Sequence, residues 1–138
     1  RMSSDLERMG DLARHVAKVA RLRYPASAVP AELRSTILQM GHVAERIVEK
    51  AGSVIAARDL GAAQQIERDD DAMDDLHREL FARVTDPSWR HGTEAAIDIT
   101  LVGRYYERFA DHAVEVARRV IFTATGEMPA EETFEEPR

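Results

Sequence analysis

The sequence predicts an all-α protein, an antiparallel helical bundle. Apolar residues recur at alternating steps of three and four through four long segments, which is the spacing of one helical face. Aromatic residues make up 6% of the chain, and glycines and prolines number 7 and 5 among 138 residues, a balance typical of helical bundles. The segments are joined by short loops, which favour antiparallel neighbours.

The first predicted helix spans about residues 4–24 and ends before Pro25, because the residue before a proline is disfavoured in a helix. Ser4 and Glu7 match a capping box, so either the helix begins there or the match is accidental. The predicted inner face of this helix consists of Leu6, Met9, Ala13, Val16 and Ala20.

The remaining segments follow in order. The second helix begins near Pro30, since proline is tolerated in a first helical turn, and it continues to about residue 54. The apolar register shifts at 58–61, and a third helix follows until Pro87 stops it. The fourth helix is the longest, over about 93–125, and position 126 offers a glycine C-cap.

Composition excludes several classes of function. The formal net charge of −6 argues against nucleic acid as a partner, because binding to phosphate backbones needs a basic surface. The chain contains no cysteine, which excludes disulfides, thiolate metal sites and cysteine nucleophiles. No apolar run is long enough to cross a bilayer. These features predict a soluble protein and fit a cytoplasmic one.

An internal repeat relates the two ends of the chain. The string DLERMGDLARHVAKVA from Asp5 aligns without gaps with YYERFADHAVEVARRV from Tyr105, at an offset of 100 positions. The second copy is preceded by two predicted helices and the first by none. We therefore expect the chain to begin partway through a duplicated protein with three helices in each repeat.

Pairs of acidic residues in these segments predict a metal site. Glu107 and Asp111 are four residues apart, which places both carboxylates on one helical face, where like charges repel. The run ERDDDAMDD places Asp71 and Asp75 at the same spacing on the third helix. We expect these two helices to hold a four-carboxylate site for iron, manganese, magnesium or calcium, ions that prefer oxygen ligands. The alternative is a solvated acidic face balanced by nearby arginines.

These motifs resemble the PhoU family, whose signature is a pair of Glu/Asp-x-x-x-Asp motifs in each of two three-helix repeats. The matching strings are LERMGD from Leu6, DAMDD from Asp71 and YERFADHA from Tyr106. The resemblance implies multinuclear metal clusters, with iron as the first choice, and it assigns as ligands Asp71, Asp75, Glu107, Asp111, Glu7 and Asp11. Leu12 departs from the pattern, since its counterpart is His112.

The resemblance also implies the organisation and the function of the chain. Residues 1–24 would be the last helix of a first repeat, 31–125 a second three-helix repeat, and 126–138 an acidic disordered tail. The protein would be a cytoplasmic negative regulator of phosphate uptake and phosphate-starvation signalling, and not an enzyme. Its partners would be a phosphate ABC transporter, a sensor histidine kinase and a second copy of itself, with metal or metal-bound phosphate biasing the docking.

Two other functions fit a four-helix bundle with clustered acids. A ferritin-like di-iron oxidase needs Glu-x-x-His pairs on two helices, whereas this chain offers Asp74-x-x-His77 and no second pair. A structural dimerisation bundle would use its acidic residues for solubility alone, and only metal and partner binding would distinguish it from the regulator.

Overall fold

The computed structural model describes residues 2–125, which form a helical bundle without strands. The elements are helix α1 (Met2–Arg23), a short 3₁₀ helix (Ala31–Leu33), α2 (Arg34–Ala57), α3 (Leu60–Val84) and α4 (Gly92–Thr125). The predicted all-α bundle is confirmed, and each predicted helix is present. The predicted tail and glycine C-cap lie outside the described residues. No helix of 2–125 is long and apolar enough to cross a membrane.

The helix ends show where local sequence signals were informative. Ser4 lies inside α1, so the predicted capping box does not start the helix. The register shift near 58–61 is a helix boundary: Arg58 ends α2 in the left-handed conformation with φ of 52°. The Asp59 side chain then accepts a hydrogen bond from the Ala62 backbone N–H at 3.1 Å, which caps the first turn of α3.

Helix α4 is the centre of the bundle because it packs against all three other long helices. Its buried residues include Ile99, Val102, Ala110, Ala113 and Val116, and alanines at several of these positions allow close approach of neighbouring helices. Helix α1 runs antiparallel to α4, since Arg23 pairs with Asp98 at 2.7 Å near one end and Asp5 with Arg119 at 3.1 Å near the other.

The inner face of α1 differs from the predicted one. Leu6 is 40% exposed, and Ala13 and Ala20 are exposed as well, so the assignment of these residues to the core was wrong. The buried residues are Asp5, Met9, Leu12 and Val19. The helix is rotated because Asp5 points inward to ionic partners on α4, which the apolar pattern alone does not reveal.

Helices α3 and α4 are in close contact at Gly103. A Cβ atom at this position would lie 3.0 Å from His77 Cδ2 and 3.1 Å from Leu80 Cδ1. Contacts this short force a neighbouring side chain to shift. Gly103 therefore sets the separation of the two helices that carry the acidic residues.

We predict that Gly103→Ala lowers the free energy of unfolding by about 1 kcal/mol, because the cost of overpacking exceeds the gain in helix propensity. Urea denaturation measures the change. Gly52→Ala is the matched control: Gly52 lies inside α2 with no atom within 4 Å of its added Cβ, so this substitution should stabilise by roughly 0.5–1 kcal/mol. Equal effects of the two substitutions would contradict the packing role of Gly103.

Candidate metal site

An acidic cleft opens between α3 and α4. Its volume is about 810 Å³, which is enough space for one or more hydrated cations. Seven carboxylates line it from the two helices: Glu67, Asp70, Asp71, Asp74, Glu107, Asp111 and Glu115. The helical spacing of the acidic residues and the packing of α3 on α4 together bring these charges to one place.

Three aspartates of α3 form the tightest group in the cleft. One carboxylate oxygen from each of Asp70, Asp71 and Asp74 lies within 4.8 Å of the others. The Oδ1 atom of Asp70 is buried and accepts no hydrogen bond from any described residue. A buried carboxylate oxygen without a donor is unfavourable, and a bound cation is one way to satisfy it.

The crowding of carboxylates raises several pKa values. Burial, together with the negative charges of Asp74 and Asp111, raises the pKa of Asp70 to about 8. Burial and the charges of Asp111 and Glu107 raise the pKa of Asp74 to about 6. The pKa of Asp111 is also raised, by burial and by the negative charge of Glu107. Without a cation, the cleft therefore retains protons near neutral pH.

Glu107 is held in place from two sides. Arg104 donates to both of its carboxylate oxygens at 2.9 and 3.0 Å, and His77 Nδ1 lies 3.2 Å from Oε2. Arg104 is on the same helix as Glu107, whereas His77 is on α3. These contacts fix one wall of the cleft before any ligand binds.

Helix α1 reaches the cleft through Asp5. The Asp5 carboxylate is buried; Oδ1 lies 2.9 Å from His112 Nδ1 and Oδ2 accepts from Arg119 Nε at 3.1 Å. Both Asp5 and His112 line the cleft. This contact connects α1, which carries the first copy of the repeat, to the acidic cleft beside the second copy on α4.

The structure brings together three of the six residues assigned from the sequence. Asp71, Glu107 and Asp111 line the cleft. Asp75 lies in a different groove, between α2 and α3, and pairs with Arg78 at 3.2 Å. Glu7 is exposed on α1.

Asp11, the sixth assigned residue, pairs with Arg14 at 2.5 Å on α1. Neither Glu7 nor Asp11 lines the cleft. Glu7 and Asp11 therefore lie on the surface of α1, apart from the carboxylates of α3 and α4.

The acidic residues of α3 lie in three different surroundings. Asp69 is buried and pairs with Lys50 of α2 at 2.5 Å, whereas Asp70, Asp71 and Asp74 face the cleft and Asp75 faces α2. One local signal indicates this division: Asp70 occupies a position where the helical spacing predicts an apolar residue. An acidic residue at a core position is buried against something, and here it is buried against α4.

The cleft residues fit a hard cation. Carboxylate oxygens are the preferred ligands of iron, manganese, magnesium and calcium in proteins, and the unsatisfied Asp70 oxygen supplies a physical reason for one to bind. A ferritin-like site does not fit, because His77 faces Glu107 and the described residues offer no second Glu-x-x-His pair.

We predict that the metal-free protein becomes less stable as the pH rises from about 5 to 8. The folded-state pKa of Asp70, about 8, lies above its unfolded value near 4, so the folded state binds more protons in this window and loses stability as they dissociate. The loss is about 2 kcal/mol, a figure reduced because the open cleft is screened by solvent. Urea denaturation in chelator measures it.

The control for this experiment is Asp70→Asn, which keeps the shape of the side chain and removes its charge. The difference in pH dependence between wild type and variant isolates the contribution of Asp70. The variant should be the more stable protein at pH 8, and a pH dependence identical to that of wild type would contradict the assignment.

Comparisons with known proteins agree with these motifs. The family model described as PhoU domain matches residues 37–120. The phosphate-specific transport system accessory protein PhoU homolog 2 of Mycobacterium tuberculosis is 55% identical over 128 residues, which are 93% of this chain and 60% of that protein. Homolog 1 of Mycobacterium leprae is 52% identical, over 96% of this chain and 60% of that protein. A homolog from Synechocystis is 30% identical, over 88% and 54%.

The chain spans about 60% of the length of the mycobacterial relatives. No solved structure matches it. The relatives are named accessory proteins of a phosphate-specific transport system. The family model covers more than half of the chain and the mycobacterial identities extend over nearly all of it, so this chain belongs to the PhoU family.

Proposed function

We propose that the chain is part of a negative regulator of phosphate uptake and phosphate-starvation signalling, controlled by a cation in the cleft between α3 and α4. The names of its relatives, accessory proteins of a phosphate-specific transport system, support the phosphate role. The observation that supports the cation is the group of Asp70, Asp71 and Asp74, whose oxygens lie within 4.8 Å of one another.

The proposed ligands are the cleft carboxylates. Asp70, Asp71 and Asp74 would hold the ion from α3, and Glu107 and Asp111 would hold it from α4. The bound cation supplies positive charge that offsets carboxylate repulsion. It would stabilise the contact between the two helices, because carboxylates from both helices would then bind the same ion.

The other three residues assigned from the sequence remain candidate ligands. Glu7 and Asp11 occupy in α1 the positions of Glu107 and Asp111 in α4, so we propose that they serve an equivalent site in the first repeat. Asp75 would take part only if a second ion bound beside Asp71. Iron is our first choice by family resemblance, with manganese, magnesium and calcium as alternatives.

We propose that the signal passes from the cleft to protein partners in the cytoplasm, namely a phosphate ABC transporter, a sensor histidine kinase and a second copy of the regulator. The contact of Asp5 with His112 at 2.9 Å supports a route within the molecule. A cation that moves His112 would change the contact of His112 with Asp5. Because Asp5 belongs to α1, the change would be passed to that helix.

The metal site is tested by elemental analysis of protein purified without chelator. We expect the double variant Asp71→Asn with Glu107→Gln to lose bound metal, because two negative ligands are removed while the side-chain shapes are kept. Circular dichroism checks that the variant is folded. Because two repelling charges are removed, we expect the variant to fold.

The matched control is Glu45→Gln with Glu49→Gln, which also removes two charges, from exposed positions of α2 that line neither the cleft nor a proposed metal site. It should retain the wild-type metal content. Equal loss in both double variants would show that net charge, and not the cleft, holds the ion. Wild-type protein without stoichiometric metal would reject the metal role and leave the structural bundle as the simpler interpretation.

The partner proposal makes a separate prediction. The cytoplasmic part of the sensor kinase should bind the metal-loaded regulator and the metal-free regulator with affinities that differ by about 5- to 150-fold, which corresponds to a coupling of about 1–3 kcal/mol. Surface plasmon resonance with and without chelator measures the ratio, and the cleft variant provides the metal-free reference. Equal affinities would remove the cation from the signalling step.

A further inference from the structure

A second groove, between α2 and α4, is lined mostly by apolar residues. Its volume is about 480 Å³, and its apolar lining consists of Gly41, Ala44, Val48, Tyr106 and Phe109. The Val48 side chain is 50% exposed. The α2–α4 groove shares no lining residue with the acidic cleft. It therefore lies on a different side of α4, since neighbouring residues of a helix point about 100° apart.

Two acidic residues of α2 form one rim of the α2–α4 groove. Glu45 and Glu49 line it, both are exposed, and their spacing of four residues makes like charges repel. Glu45 has only a long contact of 3.7 Å with His42, and Glu49 pairs with no basic residue of 2–125. The nearby Lys50 is not available to neutralise them, because it pairs with Asp69 of α3 at 2.5 Å.

The floor of the groove carries one polar group. The Tyr106 hydroxyl forms no hydrogen bond with any residue of 2–125, and a Cβ atom at Gly41 would lie 3.7 Å from its oxygen. Burial and the negative charge of Glu45 raise the pKa of Tyr106, so the hydroxyl keeps its proton at neutral pH. The α2–α4 groove thus offers an apolar floor, a free hydroxyl and an acidic rim.

We propose that the α2–α4 groove docks a basic amphipathic helix of a protein partner, with apolar side chains over Val48 and Phe109 and lysine or arginine beside Glu45 and Glu49. The inference goes beyond the proposed function, because it assigns a docking surface away from the acidic cleft and does not depend on a bound cation.

The shape and the charge of the groove both support this occupant. The lining residues of α2 from Gly41 to Glu49 extend over roughly 12 Å of helix, which matches two turns of a docked helix with apolar residues at i, i+3, i+4 and i+7. Both carboxylates lie on the α2 rim, so the basic residues of the partner belong along one edge of its apolar stripe. A basic edge also relieves the repulsion between Glu45 and Glu49.

Fluorescence anisotropy with a labelled helical peptide tests the proposal. The probe is about 15 residues long, because shorter isolated helices are marginal in water. It carries leucines at i, i+3, i+4 and i+7, with lysines along one edge of that stripe. We expect it to bind the protein as purified. The same peptide with glutamate in place of each lysine should bind at least about fivefold more weakly, since attraction to the rim becomes repulsion.

Two variants address the rim and the floor separately. Glu45→Gln with Glu49→Gln should weaken binding of the lysine peptide about three- to tenfold, because two ion pairs are lost. Gly41→Leu should weaken it at least about tenfold, because the leucine fills the apolar space that the peptide needs. Circular dichroism checks that both variants are folded, and elemental analysis checks that their metal content is that of wild type.

Each variant has a matched control. Asp71→Asn with Glu107→Gln removes the same charge from the acidic cleft, and Gly10→Leu adds the same side chain to α1 at a position with no atom within 4 Å of its added Cβ. Both should bind the lysine peptide like wild type.

The inference is overturned if wild type binds neither peptide or binds both equally, or if the groove variants bind like wild type. Equal weakening in the cleft variant would show that net charge alone attracts the peptide. Loss of a dimer in Gly41→Leu, measured by analytical ultracentrifugation, together with no peptide binding by wild type, would assign the groove to a second copy of the chain. Because metal content is measured independently, these outcomes leave the cation site standing.

Discussion

Mutual repulsion among carboxylates at the contact of α3 with α4 is the constraint on which the rest of this structure depends. Burial, together with the negative charges of Asp74 and Asp111, raises the pKa of Asp70 to about 8. A protein selected for stability alone would place apolar residues here, as it does elsewhere along the same two helices. The acidic contact is held closed by the apolar packing around it, and a proton or a cation relieves the repulsion.

Packing around the cleft explains how so much negative charge is tolerated. Gly103 allows α3 to approach α4, and His77 and Arg104 place positive or polar groups on Glu107. Asp5 adds a further carboxylate from α1, but it is matched by His112 and Arg119. Glu107 and Asp5 thus have hydrogen-bonded partners, whereas the buried Oδ1 of Asp70 accepts no hydrogen bond from any described residue.

The repeated motif occurs in two different surroundings. Glu107 and Asp111 face a partner helix rich in aspartate, and their charges interact with it. Glu7 and Asp11 have the same spacing on α1, but Glu7 is exposed and Asp11 pairs with Arg14 of its own helix. The same local sequence thus produces a shared site in one copy and separate surface charges in the other, because a carboxylate site needs a second helix to supply the opposing wall.

The sequence by itself determined the four helices, their approximate ends and the family, because helical periodicity, proline positions and the spacing of acidic motifs are local properties of the chain. It also located the acidic run on the third helix and the pair Glu107 and Asp111 on the fourth. Tertiary structure decided which of those acidic residues meet. The rotation of α3 turns Asp70 and Asp74 toward α4 and Asp75 toward α2, and the rotation of α1 buries Asp5 and exposes Leu6. These orientations follow from the packing of whole helix faces and from ion pairs between residues more than 100 positions apart, which no local pattern encodes.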